Sequence, residues 1–263
     1  MRQLKQIPAL ADLHCHLIPY VDDGASDMDD SKRLINEEYN QGVRHIVMTA
    51  HLRYGYFDTP VYLVGRQFDL LKLWIKENFT DLKVEYSREY YCDDRLLTLL
   101  DGYGKKVKEV AYDNKKYCPQ NEIIPFGTNI CILLEFSSNR IQKDLIITAV
   151  NKAFNAGLTP VIAHVERYPI IQKHPEFIQK CIDAGAYIQV NADSIIGSEN
   201  KIRCQTAREL INMGAVDVVS SDAHDPLIRK PNLLKCYKYL KSKYGAYEAD
   251  KLMHDNMYYL LEG

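Results

Sequence analysis

The chain has 263 residues, of which 46 % are hydrophobic and 26 % are charged, a composition typical of a folded globular protein and not of a disordered one. Its 33 Lys and Arg residues nearly balance its 35 Asp and Glu residues, and the formal charge of −2 excludes the basic excess with which proteins hold nucleic acid. We expect one domain covering residues 1–263, because single α/β domains commonly reach this length.

The cysteines and the N-terminus indicate a reducing compartment. The seven cysteines are odd in number, scattered, and never arranged as Cys-x-x-Cys, so a disulfide framework and a thiolate zinc site are both disfavoured. The first residues, MRQLKQIPALADLH, lack the apolar run of a signal peptide, and no segment has the apolar length of a membrane span. We therefore expect a cytoplasmic protein.

Short apolar runs alternate with amphipathic stretches along the chain, which predicts βα units and a parallel sheet. Strands are predicted at 9–13, 44–49, 83–88, 130–136, 159–163, 187–191 and 216–220. Helices are predicted at 29–41, 61–77, 143–156, 175–184, 204–213, 231–243 and 246–262. Several helices stop at a glycine suited to a C-terminal cap, namely Gly42, Gly157, Gly185 and Gly214. This pattern predicts an α/β fold close to a closed, distorted barrel.

Two parts of the chain fit this pattern less simply. The polar stretch 101–128, which is rich in Lys, Gly and Pro, predicts a long connection or insertion, and such connections tend to be functional or mobile. The helices after the last strand are expected to pack on the outside of the barrel. Their tyrosines are expected to fill packing positions rather than take part in chemistry: Tyr237, Tyr239, Tyr244, Tyr247, Tyr258 and Tyr259.

The first strand ends in Asp12-Leu13-His14-Cys15-His16. Side chains alternate along an extended segment, so His14 and His16 are expected to face one side and Cys15 the other. A His-x-His pair alone is weak evidence, and a chance or structural pair is the better interpretation of it in isolation. The argument for a site depends on recurrence at the other strand ends.

Ionisable residues recur where the other predicted strands end. They are His51, Glu89, Glu135, His164, Asp222 and His224, and Asp23 lies in the turn after the first strand. In a parallel barrel these ends meet at one face, where active sites of such folds are built. So many charged or imidazole groups would repel one another unless cations separated them. Nine candidate ligands, with imidazole and carboxylate but no thiolate, predict two or three divalent metals such as Mn²⁺, Fe²⁺ or Zn²⁺.

Two arginines closely follow candidate ligands: Arg167 stands three residues after His164 in HVERYP, and Arg229 five residues after His224 in SDAHDPLIR. Planar guanidinium groups bind tetrahedral oxyanions, so arginines beside clustered metals indicate a phosphate ester as substrate. Either arginine is also open to interpretation as a surface ion-pair partner, and Arg53 in HLRYGYF is a weaker third candidate.

At these residues the chain resembles the PHP (polymerase and histidinol phosphatase) superfamily. Within it, the chain is most similar to the bacterial manganese-dependent protein-tyrosine phosphatases of capsule and exopolysaccharide synthesis, the CpsB/CapC-like family. The matching segments are DLHCHLIPYVDDGASD, MTAHLRYGYF, EYSREYY, LLEFS, TPVIAHVERYP, QVNADS and SSDAHD. The DDGA turn and the IAHVERY segment favour the tyrosine phosphatases over the rest of the superfamily, whereas the length of 101–128 is a departure that bears on substrate preference.

The resemblance implies a distorted TIM-like (β/α)7 barrel of the PHP type that hydrolyses phosphotyrosine with a metal-activated hydroxide. It implies nine metal ligands, namely His14, His16, Asp23, His51, Glu89, Glu135, His164, Asp222 and His224. It further implies phosphate binding by Arg167 and Arg229, with His51 also in the catalytic set. The implied substrate is a phosphotyrosine protein, the C-terminal tail of a bacterial tyrosine kinase that regulates polysaccharide export.

Three other functions are considered. A thiol-based phosphatase needs a cysteine, five further residues and an arginine, but Val21 stands at that place after Cys15 and no other cysteine has the spacing. A small-molecule phosphatase, for example one acting on histidinol phosphate, stays open as the enzymatic alternative. A catalytically silent metal-bound partner of a kinase is disfavoured, because a scaffold has no need of an oxyanion clamp.

Overall fold

The computed structural model describes residues 7–263 and is built around seven parallel strands. In chain order the strands are β1 Leu10–Cys15, β2 Val43–Leu52, β3 Lys83–Tyr91, β4 Val110–Tyr112, β5 Lys115–Tyr117, β6 Cys131–Glu135, β7 Thr159–Ile162, β8 Tyr187–Asn191 and β9 Val218–Ser220. All except β4 and β5 belong to the large sheet, in the order β1-β2-β3-β6-β7-β8-β9. The sheet curls until β9 meets β1, where the Asp222 N–H donates to His14 O over 2.8 Å. The predicted seven-stranded barrel is thus confirmed, and it is nearly closed.

Helices cover the outside of the barrel. They are α1 Met28–Asn40, α2 Val61–Asn78, α3 Asp94–Gly104, α4 Pro119–Glu122, α5 Lys143–Asn155, α6 Pro169–Lys173, α7 Phe177–Asp183, α8 Ala192–Ile196, α9 Lys201–Asn212, α10 Leu233–Tyr244, α11 Ala246–Asp250 and α12 Asn256–Glu262, with one π-helical turn, Lys251–Asp255, before the last. The predicted helices are all present, but α3, α4, α6 and α8 were not predicted. Gly42, Gly157, Gly185 and Gly214 have φ between 69° and 96°, which confirms them as helix ends. Within residues 7–263 no helix is both long and apolar enough to cross a membrane.

The barrel interior is apolar at the end where the strands begin. Inward residues of the strands and of α12 fill it together, among them Ala11, Leu13, Val47, Leu133, Val161, Val218, Met257, Leu260 and Leu261. The expectation that both C-terminal segments pack on the outside is therefore wrong for α12, whose apolar face closes the bottom of the barrel. This closure leaves the opposite end, where the strands finish, as the open one.

The C-terminal tyrosines do not share one role. Tyr237 is buried in the core and its hydroxyl donates to Asp250 Oδ1 over 2.6 Å, as a packing role predicts. Tyr247 and Tyr259, by contrast, are 79 % and 55 % exposed. The packing prediction is wrong for these two because the helices that carry them turn those faces to solvent.

The segment 101–128 has secondary structure of its own and is not the plain connection that the sequence predicts. It contains the end of α3, the β4–β5 hairpin and α4. The hairpin reaches the loop after β2, where the Tyr54 hydroxyl hydrogen-bonds to the Asp113 carboxylate. Ahead of the segment, Arg95 near the start of α3 pairs with Asp58 of the same loop at 2.6 Å. The segment and α3 therefore brace the loop after β2 together.

Candidate metal centre

An irregularity in β1 directs two histidines into the barrel. The register of β1 against β2 shifts between Asp12 and Cys15, and such a bulge re-aims the side chains that follow it. Leu13 packs in the apolar interior, yet His14, the next residue, also points inward, with its Nε2 3.3 Å from His16 Nε2. Cys15 packs in the outer core. The predicted convergence of His14 and His16, with Cys15 facing away, is confirmed.

The structure brings all nine predicted ligands together at the open end of the barrel. Most of their ligand atoms fall into three overlapping groups, each with its atoms within 4.8 Å of one another: His16, Asp23, His51 and His224; His14, His16 and Glu89; His51, Glu89 and Glu135. The other two adjoin these groups. His164 Nε2 lies 2.8 Å from Glu89 Oε1, and Asp222 Oδ1 lies 3.5 Å from His14 Nε2.

Glu89 is the centre of the cluster and is fully buried. Its Oε2 lies 2.9 Å from His51 Nδ1, 3.3 Å from His16 Nε2 and 3.4 Å from His14 Nε2, yet it has no partner with hydrogen-bond geometry among residues 7–263. His224 Nε2 is likewise buried without a hydrogen-bond partner in this part of the chain. Since buried polar atoms are seldom left without partners, these two atoms, which belong to overlapping groups of candidate ligands, fit bound cations.

Two amides on β8 orient the ligands, and sequence reasoning missed both. Gln189 Oε1 accepts the N–H of His164 at 2.7 Å and lies 3.1 Å from His14 Nδ1. Asn191 Nδ2 donates to Asp222 Oδ2 at 2.8 Å. Strand β8 carries no predicted ligand itself, but its two amides hold predicted ligands that belong to other strands. The available signal was their spacing of two residues, which places both side chains on the inner face.

Asp22 is a third orienting residue that the sequence analysis did not assign. Its Oδ2 lies 2.8 Å from His16 Nδ1 and accepts the backbone N–H of His51 at 2.8 Å. The side chain of its neighbour Asp23 lies closer to the Nε2 atoms of the cluster, with Oδ1 3.5 Å from His51 Nε2. The two adjacent acids therefore have different roles: Asp22 orients the imidazole of His16, and Asp23 lies among the candidate ligand atoms.

Two of the predicted ligands adopt left-handed backbone conformations. The φ angles are 32° for His164 and 53° for Asp222, a region that residues other than glycine seldom occupy. Such conformations persist where the surroundings impose them, and they cluster at functional sites. Here the amides of β8 hold both residues, so the strain is consistent with a preorganised site.

Both predicted arginines lie beside the cluster. Arg167 Nη1 is 2.8 Å from Asp222 Oδ2 and Arg229 Nη2 is 3.2 Å from the same oxygen. Burial alone would raise the pKa of Asp222, but the charges of Arg167, His14, His224 and Arg229 hold it well below its usual value. Arg229, which the sequence left open as a surface ion-pair partner, is thus paired inside the site.

The cluster holds protons when no cation is bound. Burial would lower the pKa of His14, but the carboxylates of Glu89 and Asp222 override burial and raise it to about 9. Burial would likewise lower the pKa of His51, but nearby carboxylates, Glu89 above all, raise it to about 10. At neutral pH these histidines are therefore imidazolium ions that neutralise the acids, and a metal would replace their protons.

A cavity of about 220 Å³ opens onto the cluster. Its lining combines five predicted ligands with three arginines and a phenylalanine: Asp23, His51, Glu135, His164, Asp222, Arg53, Arg167, Arg229 and Phe57. A larger cavity of about 830 Å³ lies at the other end of the barrel, lined by residues such as Ile130, Phe154 and Tyr187 and by none of these ligands. Chemistry and not size identifies the candidate site.

A parallel barrel with clustered His, Asp and Glu ligands at its open end has the architecture of metal-dependent barrel hydrolases. The chain belongs to the capsular polysaccharide synthesis family CpsB/CapC, whose family model matches residues 10–262. The family expected from the sequence motifs is thereby confirmed.

The similarity to individual relatives extends over nearly the whole chain. The tyrosine-protein phosphatase CpsB of Streptococcus agalactiae serotype V is 32 % identical over 260 residues, which is 96 % of this chain and 98 % of that protein. The tyrosine-protein phosphatase YwqE of Bacillus subtilis is 26 % identical over 253 residues, which is 96 % of this chain and 91 % of that protein. A crystal structure from work on YwqE and on CpsB of Streptococcus pneumoniae, described as unique metal-dependent tyrosine phosphatases, has a TM-score of 0.78 at 22 % identity and covers 95 % of this chain and 94 % of that one.

Proposed function

We propose that this protein is a metal-dependent protein-tyrosine phosphatase. The observation that carries the proposal is the gathering of nine candidate ligands at the open end of the barrel, beside a cavity that two arginines of the cluster line, in a chain whose relatives are tyrosine-protein phosphatases over nearly their full length. A thiol mechanism has no support in the geometry, because Cys15 points away from the cluster and its Sγ lies 3.5 Å from Val47 O.

The proposed ligands are the nine residues of the cluster, and they fit two or three divalent cations. Imidazole and carboxylate ligands without thiolate favour Mn²⁺, with Fe²⁺ or Zn²⁺ as alternatives. When bound, such cations polarise phosphoryl oxygens and lower the pKa of water, so that hydroxide is available near neutral pH. The overlap of the three ligand groups at His16, His51 and Glu89 supports sites that share ligands.

The arginines are proposed to bind the phosphoryl oxygens. Asp222 and Glu199 fix the Arg167 guanidinium, each at 2.8 Å. Its Nε is buried, has no hydrogen-bond partner among the described residues, and is left as a donor. Arg229 is 38 % exposed, so part of its fork is available to an oxyanion. His51, held between Glu89 and Phe57, forms the wall beside them. The departing tyrosinate has a parent pKa of about 10 and needs little help from a proton donor.

The physiological substrate is proposed to be phosphotyrosine in the C-terminal tail of a bacterial tyrosine kinase that regulates capsular or exopolysaccharide synthesis. The family description, capsular polysaccharide synthesis, supports this assignment. We also propose that the protein acts in the cytoplasm, which suits its seven free thiols.

The test compares a phosphotyrosine peptide with histidinol phosphate, using protein stripped of metal by a chelator and protein reloaded with Mn²⁺. We expect turnover of the peptide only after reloading, with elemental analysis showing at least two metals per chain. A large preference for histidinol phosphate would establish the small-molecule alternative instead. His51→Ala and Arg167→Ala should lower turnover, whereas Arg66→Gln on the exposed face of α2 should not; survival of both turnover and metal content in the first two would refute the site.

A further inference from the structure

A third arginine in the cavity has a different environment from the other two. Arg53 lines the cavity with Arg167 and Arg229, which both pair with Asp222. Within residues 7–263 no carboxylate lies within ion-pair distance of Arg53, and Asp58, the acid of its own loop, is bound to Arg95 at 2.6 Å. The acids that line the cavity, such as Glu135, do not pair with it either. Arg53 is thus left without an ion-pair partner in the described part of the chain.

The Arg53 side chain is nevertheless held in place. Its guanidinium carbon lies 4.3 Å from the ring centroids of both Tyr56 and Tyr91. The loop beneath it is fixed by two backbone hydrogen bonds of 2.9 Å between Arg53 and Phe57, and Gly55 makes the turn with a φ of 76°. An arginine stacked on two rings loses little further freedom when a ligand binds, which favours recognition over a merely structural role.

The stacking also decides what Arg53 can bind. Because two ring faces already lie against the guanidinium, its unused groups are the N–H donors at its edge, and these suit an oxyanion rather than another aromatic ring. The reacting phosphoryl group already has two arginines. Tyr56 is 73 % exposed, so Arg53 and Tyr56 lie at the mouth of the cavity. The substrate chain beside the phosphotyrosine must pass there.

We propose that Arg53 is a specificity-determining residue that binds the carboxylate of an acidic side chain next to the phosphotyrosine. This inference rests on the proposed phosphatase function and names the sequence context that the site prefers. The acid is drawn to a cation that is preordered and has no ion-pair partner among residues 7–263, so it displaces no ion pair described there.

The experiment uses Mn²⁺-loaded full-length protein and two phosphotyrosine peptides that differ only in having Glu or Gln on both sides of the phosphotyrosine. We expect the wild type to prefer the Glu peptide about tenfold in kcat/KM, the effect of one hydrogen bond to a charged group. Arg53→Gln should abolish this preference and Arg53→Lys should keep part of it. Arg66→Gln removes one exposed positive charge elsewhere and should keep all of it. A ratio between two substrates does not depend on the folded fraction of a variant.

Two results would overturn the inference while leaving the phosphatase assignment intact. One is a wild type that hydrolyses both peptides equally well. The other is an Arg53→Gln variant that loses the same factor on both peptides and on p-nitrophenyl phosphate, since that pattern would place Arg53 on the reacting phosphoryl group. Hydrolysis of neither peptide by the loaded wild type would overturn the proposed function and this inference together.

Discussion

The Phe57 ring stacks on the imidazole of His51, with their centroids 5.1 Å apart and their planes 14° from parallel. The same imidazole is also held at its edge by Glu89, whose Oε2 lies 2.9 Å from His51 Nδ1. Stacking from one direction and a carboxylate from another restrict the imidazole to one orientation. The loop after β2, braced by the 101–128 segment, thus reaches the chemistry through Phe57.

Phe57→Leu should weaken catalysis without abolishing it. The variant keeps an apolar side chain but loses the stacked contact, which is worth about 0.5 to 1.5 kcal/mol, so kcat/KM should fall between about twofold and about tenfold. Steady-state kinetics on a phosphotyrosine peptide measures the effect. Phe154→Leu is the matched control, because Phe154 is 60 % exposed at the other end of the barrel. Equal losses in both variants would mean that the stacking has no catalytic role.

Asp22→Asn should lower metal affinity while leaving the fold in place. Asp22 Oδ2 lies 2.8 Å from His16 Nδ1, and loss of such an orienting carboxylate typically weakens metal binding by about 10- to 100-fold. Competition with a chelator of known affinity measures the change. Asp69→Asn, at an exposed position of α2, is the control. Unchanged affinity in Asp22→Asn would show that the backbone alone positions His16.

The strand ends were the part of the site that the sequence revealed most clearly. Charged residues after successive apolar runs have few explanations other than a shared site, so residues as far apart as His14 and His224 were placed together correctly. Gln189 and Asn191 gave no such signal, because an uncharged amide on a strand is compatible with many roles. Their function depends on which neighbours the barrel brings within hydrogen-bond distance.

Other features depended on packing that a linear pattern does not record. The bulge between Asp12 and Cys15 is a property of the pairing of two strands, and no residue type marks it. Helix α12 has an apolar face like any outer helix, and only the open bottom of the barrel makes it an interior element. The polar composition of 101–128 concealed a hairpin that packs on α3 and reaches another loop, where Asp113 accepts a hydrogen bond from Tyr54.

Metal binding should strengthen as pH rises. The pKa of His14 is raised to about 9 and that of His51 to about 10 in the metal-free protein, so near neutral pH both protons must leave before these nitrogens become ligands. The sign for stability is the reverse: raised histidine pKa values stabilise the metal-free fold fully below about 6.5, and this stabilisation is lost as pH rises through about 9 to 10. Metal should therefore add most to the melting temperature at alkaline pH.

Calorimetry at neutral pH in buffers of different ionisation enthalpy tests this prediction. Between about two and about three protons should be released as the metals bind, one from each of these histidines and part of one from Glu135, whose pKa burial and the Glu89 charge raise to about 7. His174→Gln, an exposed histidine outside the cluster, should release the same number. Proton release near zero, with affinity constant between about pH 6 and about pH 9, would show that the imidazoles are neutral before metal arrives.

Glu38→Gln should stabilise the protein, because it removes an acid buried beside Asp12 of β1. Glu38 of α1 is fully buried, both of its oxygens lack hydrogen-bond partners among residues 7–263, and Asp12 lies close by. The pKa of Glu38 is raised well above 4.5, mainly by burial and to a smaller extent by the negative charge of Asp12. A glutamine amide would donate to Asp12 Oδ2, which also has no partner.

The sign of the pH dependence follows from the raised pKa. Protonated Glu38 contributes its full stability below the unfolded value of about 4.5 and loses it as pH rises toward its folded pKa, whereas glutamine does not titrate. The advantage of Glu38→Gln should thus be small in acid and grow to about 1 kcal/mol or more near neutral pH, a rise of about 2 to 4 °C in Tm. Thermal melts of metal-free protein across this range measure it, with the exposed neighbour Glu37→Gln as the control. A Glu38→Gln variant destabilised equally at every pH would mean that the Glu38 carboxyl makes a favourable interaction that the amide cannot replace.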